Sequence, residues 1–366
     1  MEGAVREVPP QARVLSCPVS DGGEGLVDLL VPVLGGRMLE TEVSGPLPGQ
    51  RVVARWGLSG DGTRAFIEMA QASGLNLVPA EKRDPTITTT YGVGELLRAA
   101  LDEGASTILV GIGGSATSDG GAGMAEALGV EFSDAAGSPL PRGGAALRRL
   151  ARIDVSRRDS RLDRTQVDVA CDVQIPLVGP QGAAALFGPQ KGASPEDVRM
   201  LDQGLQQYRE AVRVLTGIDV QNIPGSGAAG GLGAGLVAFC GARLKPGIDL
   251  VLDSVGFDQV AAASDVVLTG EGSLDTQTRY GKALSGVLGR CARLGKPVVA
   301  VVGILEGQEE DYVGEGQFSF VISLVREGTT KEAAMGQARE LLRERTKEAV
   351  GRIAAAGGAW GEMVRP

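Results

Sequence analysis

Residues 111–121 read Gly-Ile-Gly-Gly-Ser-Ala-Thr-Ser-Asp-Gly-Gly, which puts backbone N–H groups, the hydroxyls of Ser115, Thr117 and Ser118 and the carboxylate of Asp119 into one short stretch. The apolar run Ile108, Leu109, Val110 and Ile112 before it has the composition of a strand, and the Ala/Leu-rich segment beginning near Asp119 has that of a helix. At a strand–loop–helix junction several N–H groups lack intrahelical partners and the helix dipole adds positive potential, so the ligand that suits it is an anion, phosphate above all. Gly113, Gly114, Ser115 and Thr117 are the candidate donors. Asp119 either caps the helix or serves the chemistry, by holding Mg²⁺ or by taking a hydroxyl proton.

Two further stretches have related chemistry. Ser20-Asp21-Gly-Gly-Glu24-Gly25 repeats the acidic, glycine-rich pattern, and Asp21 with Glu24 has capping-box spacing ahead of a helix over 26–34. Thr269-Gly270-Glu271-Gly-Ser273-Leu-Asp275 follows a buried strand, where the carboxyl ends of parallel strands place ligand sites. Two carboxylates there, Glu271 and Asp275, suit Mg²⁺, which combines one or two carboxylates with waters and phosphate oxygens; simple loop solvation is the alternative. Lys282 opens a predicted helix, where the dipole disfavours a cation, so a reach toward phosphate would explain it. Lys191, in Phe187-Gly-Pro-Gln-Lys-Gly, reads equally as a phosphate ligand and as an ordinary exposed lysine.

Composition removes other chemistries. The 366 residues contain no histidine, which excludes Ser-His-Asp and Cys-His catalysis and leaves acid–base work to Asp, Glu, Lys or Tyr. Four dispersed cysteines form no Cys-x-x-Cys pair and read as small buried hydrophobes. With 36 Lys+Arg against 45 Asp+Glu and no basic block, nucleic acid and anionic membranes are poor partners. Without a signal sequence or an apolar run of about 20 residues, a cytoplasmic protein is expected. No stretch satisfies the P-loop pattern; Gly111-x-Gly113-x-x-Ala116, with Glu131 about 20 residues on, formally matches a dinucleotide fingerprint, a weak signal alone.

The elements that must position these residues follow from periodicity. Residues 41–70 alternate as strands with Gly60-Asp61-Gly62 as a hairpin turn, and Thr88–Thr90 precede a helix over 92–101. Residues 166–171 read as a buried strand, 179–193 as a Gly/Pro-rich loop, 197–215 as a helix, and 225–235 as a loop running into a closely packed helix. Strands are expected near 263–269, 297–302 and 318–324, with a helix from Lys282 to Leu294 and a long one, capped by Thr329 and Glu332, reaching Ala356. This is an α/β protein of two domains, with the first and last thirds expected to share one sheet.

In that order, Thr88-Thr-Thr-Tyr-Gly-Val-Gly-Glu, Gly111-Ile-Gly-Gly-Ser-Ala-Thr-Ser-Asp-Gly-Gly-Ala-Gly-Met, Ala170-Cys-Asp-Val, Phe187-Gly-Pro-Gln-Lys-Gly-Ala and Thr269-Gly-Glu-Gly-Ser-Leu-Asp-x-Gln-Thr closely resemble the signatures of the type-1 glycerate kinases. The resemblance covers residues 17 to about 305 and implies ATP- and Mg²⁺-dependent phosphorylation of D-glycerate to 2- or 3-phosphoglycerate. It also implies a flavodoxin-like parallel-sheet domain from residues 1–40 plus 250–366, and an inserted, restriction-endonuclease-like α/β domain over 41–249. Ser118 replaces the family's usual Asn and Leu274 its frequent Ile. The family's opening strand and Pro-Asp-Ser-Phe-Lys-Gly-Ser loop have no counterpart here, so the first domain is expected to lack its N-terminal strand.

On residue chemistry, Asp119 is then the candidate for orienting or deprotonating the glycerate hydroxyl. Lys282 and Lys191 are candidates for phosphate, and Glu271 and Asp275 for Mg²⁺. Asp21, Gly113, Gly114, Ser115, Thr117, Gly270 and Ser273 would bind substrate or phosphate. A homodimer is compatible with this reading. The rivals are a hydroxy-acid-binding relic without turnover and a nicotinamide-dependent dehydrogenase.

Overall fold

The computed structural model describes residues 1–8, 11–20, 25–274, 282–314, 316–326 and 331–356. The chain divides into two compact units, 20–251 and the pair of segments 1–19 and 252–366.

The central unit is built on a six-stranded sheet. Its strands β1 (Arg37–Ser44), β2 (Arg51–Leu58), β3 (Arg64–Glu68), β4 (Thr107–Gly111), β5 (Gln166–Ala170) and β6 (Arg243–Lys245) lie side by side in chain order. The first three are antiparallel, and β3 through β6 run parallel, so the carboxyl ends of four strands open on one edge. The hairpin expected around Gly60 is present as β2–β3, pairing Leu58 with Ala65. Helices α1 (Leu26–Val33), α2 (Tyr91–Asp102), α3 (Ala122–Ala127), α4 (Pro195–Thr216) and α5 (Ala228–Cys240) surround it.

Ile108 and Val110 of β4, Val167 and Val169 of β5, and Val93, Leu96 and Leu97 of α2 fill one core with Trp56, Leu232 and Leu236. A second core gathers Phe132, Leu147, Leu201, Leu205, Tyr208 and Phe239. Helix α4 starts two residues before its predicted position, because Ser194 and Asp197 form a reciprocal capping box with Pro195 in the first turn.

The other unit has a three-stranded parallel sheet of β7 (Val267–Thr269), β8 (Val298–Val302) and β9 (Phe320–Ser323), with β8 in the middle and buried throughout. Helix α6 spans Lys282–Arg293 and α7 spans Ala338–Ala356. Val299, Val301, Phe320, Ile322 and Ala349 make its core. The short helix Glu2–Glu7, which the polar opening sequence did not announce, packs on α7, with Glu7 ion-paired to Arg343 at 2.7 Å.

Several expectations need correction. Among the described residues the first and last thirds share no sheet: β1–β4 continue into β5 and β6 from the middle of the chain, while β7–β9 form a sheet of their own. The expected first boundary near residue 40 contrasts with a division between Val19 and Ser20, since α1 packs on β2 and β3. Residues 179–193 are not simply a loop; Ala183–Phe187 is a helix and Pro189–Lys191 a 3-10 turn. The long C-terminal helix is two pieces, Lys331–Gly336 and Ala338–Ala356, and its expected cap Thr329 lies outside the described residues. Of the cysteines, Cys240 and Cys291 are buried while Cys17 and Cys171 keep partial exposure.

Candidate active site

Strand β4 delivers its backbone into residues 112–121. Gly113 and Gly114 are exposed and Ser115 half-buried, and among the described residues the N–H groups of these three donate to no acceptor. The run is fixed on both flanks: Leu75 N–H donates to the Gly114 carbonyl at 2.8 Å, Ala116 N–H to that of Ser73 at 2.9 Å, and the Thr88 hydroxyl to that of Ala116 at 2.9 Å. An exposed row of N–H groups held in place from behind is a preorganised anion cradle.

The chain then turns inward. Thr117, Ser118 and Asp119 are fully buried. The Asp119 carboxylate accepts from the Thr90 N–H at 2.8 Å, the Thr90 hydroxyl at 2.9 Å, and the N–H groups of Gly121 at 3.1 Å and Gly123 at 3.3 Å. The Thr90 hydroxyl in turn accepts from Met124 N–H at 2.9 Å. Asp119 thus ties the Thr88–Thr90 segment to the start of α3, and its hydrogen-bonding capacity is used inside the protein. Burial pushes its carboxyl above the ordinary range, against the opposing pull of these donors.

Lys191 is also internal. It is 1% exposed, and its Nζ donates to the Thr117 carbonyl at 2.7 Å. Burial draws its ammonium down to about 7, partly offset by the charge of Asp119. Tyr208 packs beneath Gly120, and burial raises its phenol well above 10. The hydroxyls of Thr117, Ser118, Tyr208 and Ser226 have no partner among the described residues.

The structure brings Gly113, Gly114, Ser115, Thr117, Asp119 and Lys191 together in the central unit. In the other unit, β7 runs out into Gly270, Glu271 and Ser273, and the short parallel pairing of Ser273–Leu274 with Ile304–Leu305 holds this turn beside the end of β8. Glu271 is half-exposed, with its Oε1 accepting from Gly272 N–H at 3.3 Å, and Ser273 is exposed. Asp21 and Asp275 lie outside the described residues, as does the side chain of Lys282, whose backbone opens α6.

Two contributors were not anticipated. Thr90 is the principal partner of Asp119, detectable only as one of three consecutive threonines. Glu68 ends β3 level with Gly111, near the backbone N–H groups of Gly25, Leu26 and Val27 at the head of α1, which favour its charged form. Burial raises its carboxyl, and Oε1 has no partner among the described residues. A lone acid closing an apolar strand was its sequence signal.

The dinucleotide reading fails on geometry. That fingerprint opens directly into a helix, whereas here Ala122 begins the helix only after an inward turn. Glu131, its proposed ribose acceptor, sits on an antiparallel ribbon and pairs with Arg157 at 3.3 Å.

An α/β fold with an exposed N–H run at the carboxyl end of a parallel strand, in a chain without histidine, suits the class of enzyme that handles anions by positioning them. The comparisons narrow the class. The model of the glycerate kinase family matches residues 1–354. A glycerate kinase of Halalkalibacterium halodurans is 48% identical over 94% of this chain and 90% of its own, and the glycerate 2-kinase of Escherichia coli is 46% identical over 92% and 88%. A crystal structure from Salmonella typhimurium, provisionally named glycerate kinase 2, superposes with a TM-score of 0.87 at 46% identity, covering 97% of this chain and 92% of that one. The chain belongs to the glycerate kinase family; it is an enzyme, a kinase. Among the described residues no helix is long and apolar enough to cross a membrane.

Proposed function

We propose that this protein transfers the γ-phosphoryl group of ATP to the 2-hydroxyl of D-glycerate, in cytoplasmic glycerate catabolism. The observation that carries the reading is the exposed, unpartnered N–H run of Gly113, Gly114 and Ser115 at the end of β4, in a chain of this family. The choice of the 2-hydroxyl follows the name of the E. coli relative. Phosphoryl transfer asks the protein mainly to align the attacking hydroxyl with the phosphorus and to neutralise charge, which needs no histidine.

In this reading the Gly113–Thr117 run, Asp21, Gly270 and Ser273 bind substrate or phosphate, and Lys282 binds phosphate. The donor chemistry fits Mg²⁺. Among the described residues no group of three or more acid, His or Cys side chains is gathered, and Mg²⁺ is commonly held by one or two carboxylates plus waters and phosphates. Glu271 and Asp275 would hold it, and when bound it would offset charge on the phosphate oxygens. Asp119 shapes the cradle through Thr90 and the head of α3. The terminal unit corresponds to a flavodoxin-like domain and the central one to an inserted restriction-endonuclease-like domain.

The test is ADP release from ATP with D-glycerate, with product detected through enolase in the presence and absence of phosphoglycerate mutase. Glycerate-dependent ADP release and a mutase-independent enolase signal are expected. No glycerate-dependent release overturns the kinase reaction, and a signal requiring the mutase overturns the 2-position.

A further inference from the structure

Lys191 belongs to a motif that invites assignment as a phosphate ligand, yet its surroundings use its ammonium internally. Its 3-10 turn is closed by Lys191 N–H donating to the Gly188 carbonyl at 3.0 Å and Gly192 N–H to that of Pro189 at 3.0 Å. Gly192 has φ +98° and lies so close to Arg83 that a Cβ would stand 2.2 Å from its carbonyl oxygen. This wedged turn drives the lysine stem inward to the Thr117 carbonyl.

The same carbonyl is backed by Gly230, where a Cβ would come within 1.9 Å of it, and Gly120 N–H donates to the Gly230 carbonyl at 3.0 Å. The segment 117–120 is therefore gripped by Lys191 at Thr117, by Thr90 at Asp119 and by Gly230 at Gly120. The exposed N–H run Gly113–Ser115 continues directly into that gripped segment. A buried ammonium that donates to a carbonyl at one end of a loop and feels a carboxylate two residues further on sets the loop's path.

We propose that Lys191 is a positioning residue: its buried amino group, donating to the Thr117 carbonyl, fixes the peptide there and so the shape of the Gly113–Ser115 anion cradle, without itself touching phosphate. The functional part rests on the reading that this cradle holds an anion of the kinase reaction.

The first test uses the wild-type enzyme. Acetic anhydride should leave Lys191 unmodified while exposed lysines react, with or without MgATP and D-glycerate. Ready acetylation in the free enzyme, suppressed by MgATP or glycerate, is the pattern of a ligand-contacting lysine and overturns the proposal. The second uses Lys191→Met and Lys191→Gln. In ligand-free Lys191→Met, amide exchange across the hydrogen-bonded and buried residues 116–121 should quicken by about tenfold or more while the interior of α2 is unchanged. The KM of the anion held there should rise with a smaller fall in kcat, and Lys191→Gln, which keeps a donor, should recover about tenfold of the lost kcat/KM. Lost turnover with unchanged exchange overturns the proposal, as does unchanged kinetics. Labelling and exchange need no turnover, so an inactive wild type would sink the kinase reading while leaving this one open to its own result. The labelling arm also decides if Lys191→Met does not fold.

Discussion

Asp119 was legible as an acid at a helix start, but its role depends on a partner that no local pattern identifies. Its carboxylate faces four donors and no acceptor, so the NH₂ of Asn would meet N–H groups. Asp119→Asn is expected to cost about 3 kcal/mol, the loss of charge-assisted bonds with a donor left facing donors, read as a lower urea midpoint at unchanged m-value. A variant with wild-type stability and abolished turnover would instead make Asp119 the base that its sequence position suggests. Lys191 was similarly half-legible. The Phe187-Gly-Pro-Gln-Lys-Gly motif marks it as important, but an exposed and a buried lysine have the same letters. What separates them is the long-range approach of Arg83 and Thr117 to the turn, from more than seventy residues away in sequence.

The strand–loop–helix frame of the cradle was readable because β4 is a continuous apolar run ending in glycines, and α4 because its apolar residues recur at helical spacing. Helix α5 was only partly so. Residues 229–231 are left-handed, including Ala229 at φ 55°, and regular helix starts at Leu232. That turn exists to let two backbones meet, which local propensity does not encode. Glycines that look alike in sequence should therefore respond differently. Gly230→Ala places a methyl 1.9 Å from the Thr117 carbonyl at φ +68° and should lose more than about 3 kcal/mol, or fail to fold. Gly113 has open space at its Cβ position, so Gly113→Ala should stay within about 0.5 kcal/mol of wild type in urea. If the cradle binds phosphate or glycerate, Gly113→Ala still lowers kcat/KM, because the added methyl stands where a ligand approaches. Loss of stability without loss of kcat/KM would refute that assignment.

Across the whole molecule, the absence of histidine clears the neutral pH range of its usual titrating side chain, so the perturbed groups stand out. Burial raises the carboxyls of Asp119 and Glu68, lowers the ammonium of Lys191 to about 7, and pushes Cys240 and Cys291 up to about 12. Lys191 is therefore the side chain expected to titrate near neutrality. In the folded protein it releases its proton near 7, whereas the unfolded chain keeps it to the ordinary lysine value of 10.5. Between those values the unfolded state binds more protons, so stability rises with pH, by at most about 1.4 kcal/mol per pH unit for one group. Below about 7 both states are protonated, and the cost of burying the ammonium is fully present. Asp119 and Glu68 act with the opposite sign: their raised carboxyls make the folded state bind more protons, so stability from them falls as pH rises from their unfolded values through their folded ones. Lys191 faces Asp119 from the cradle loop, and Tyr208 from α4 stays neutral throughout this range. Urea unfolding at pH 6, 7 and 8, below the range where the raised thiols of Cys240 and Cys291 begin to lower stability, should give a rising free energy above pH 7 in the wild type and no rise in Lys191→Met. A wild-type profile that is flat or falling above pH 7 would mean that Lys191 keeps an ordinary ammonium, and with it an aqueous rather than an internal position.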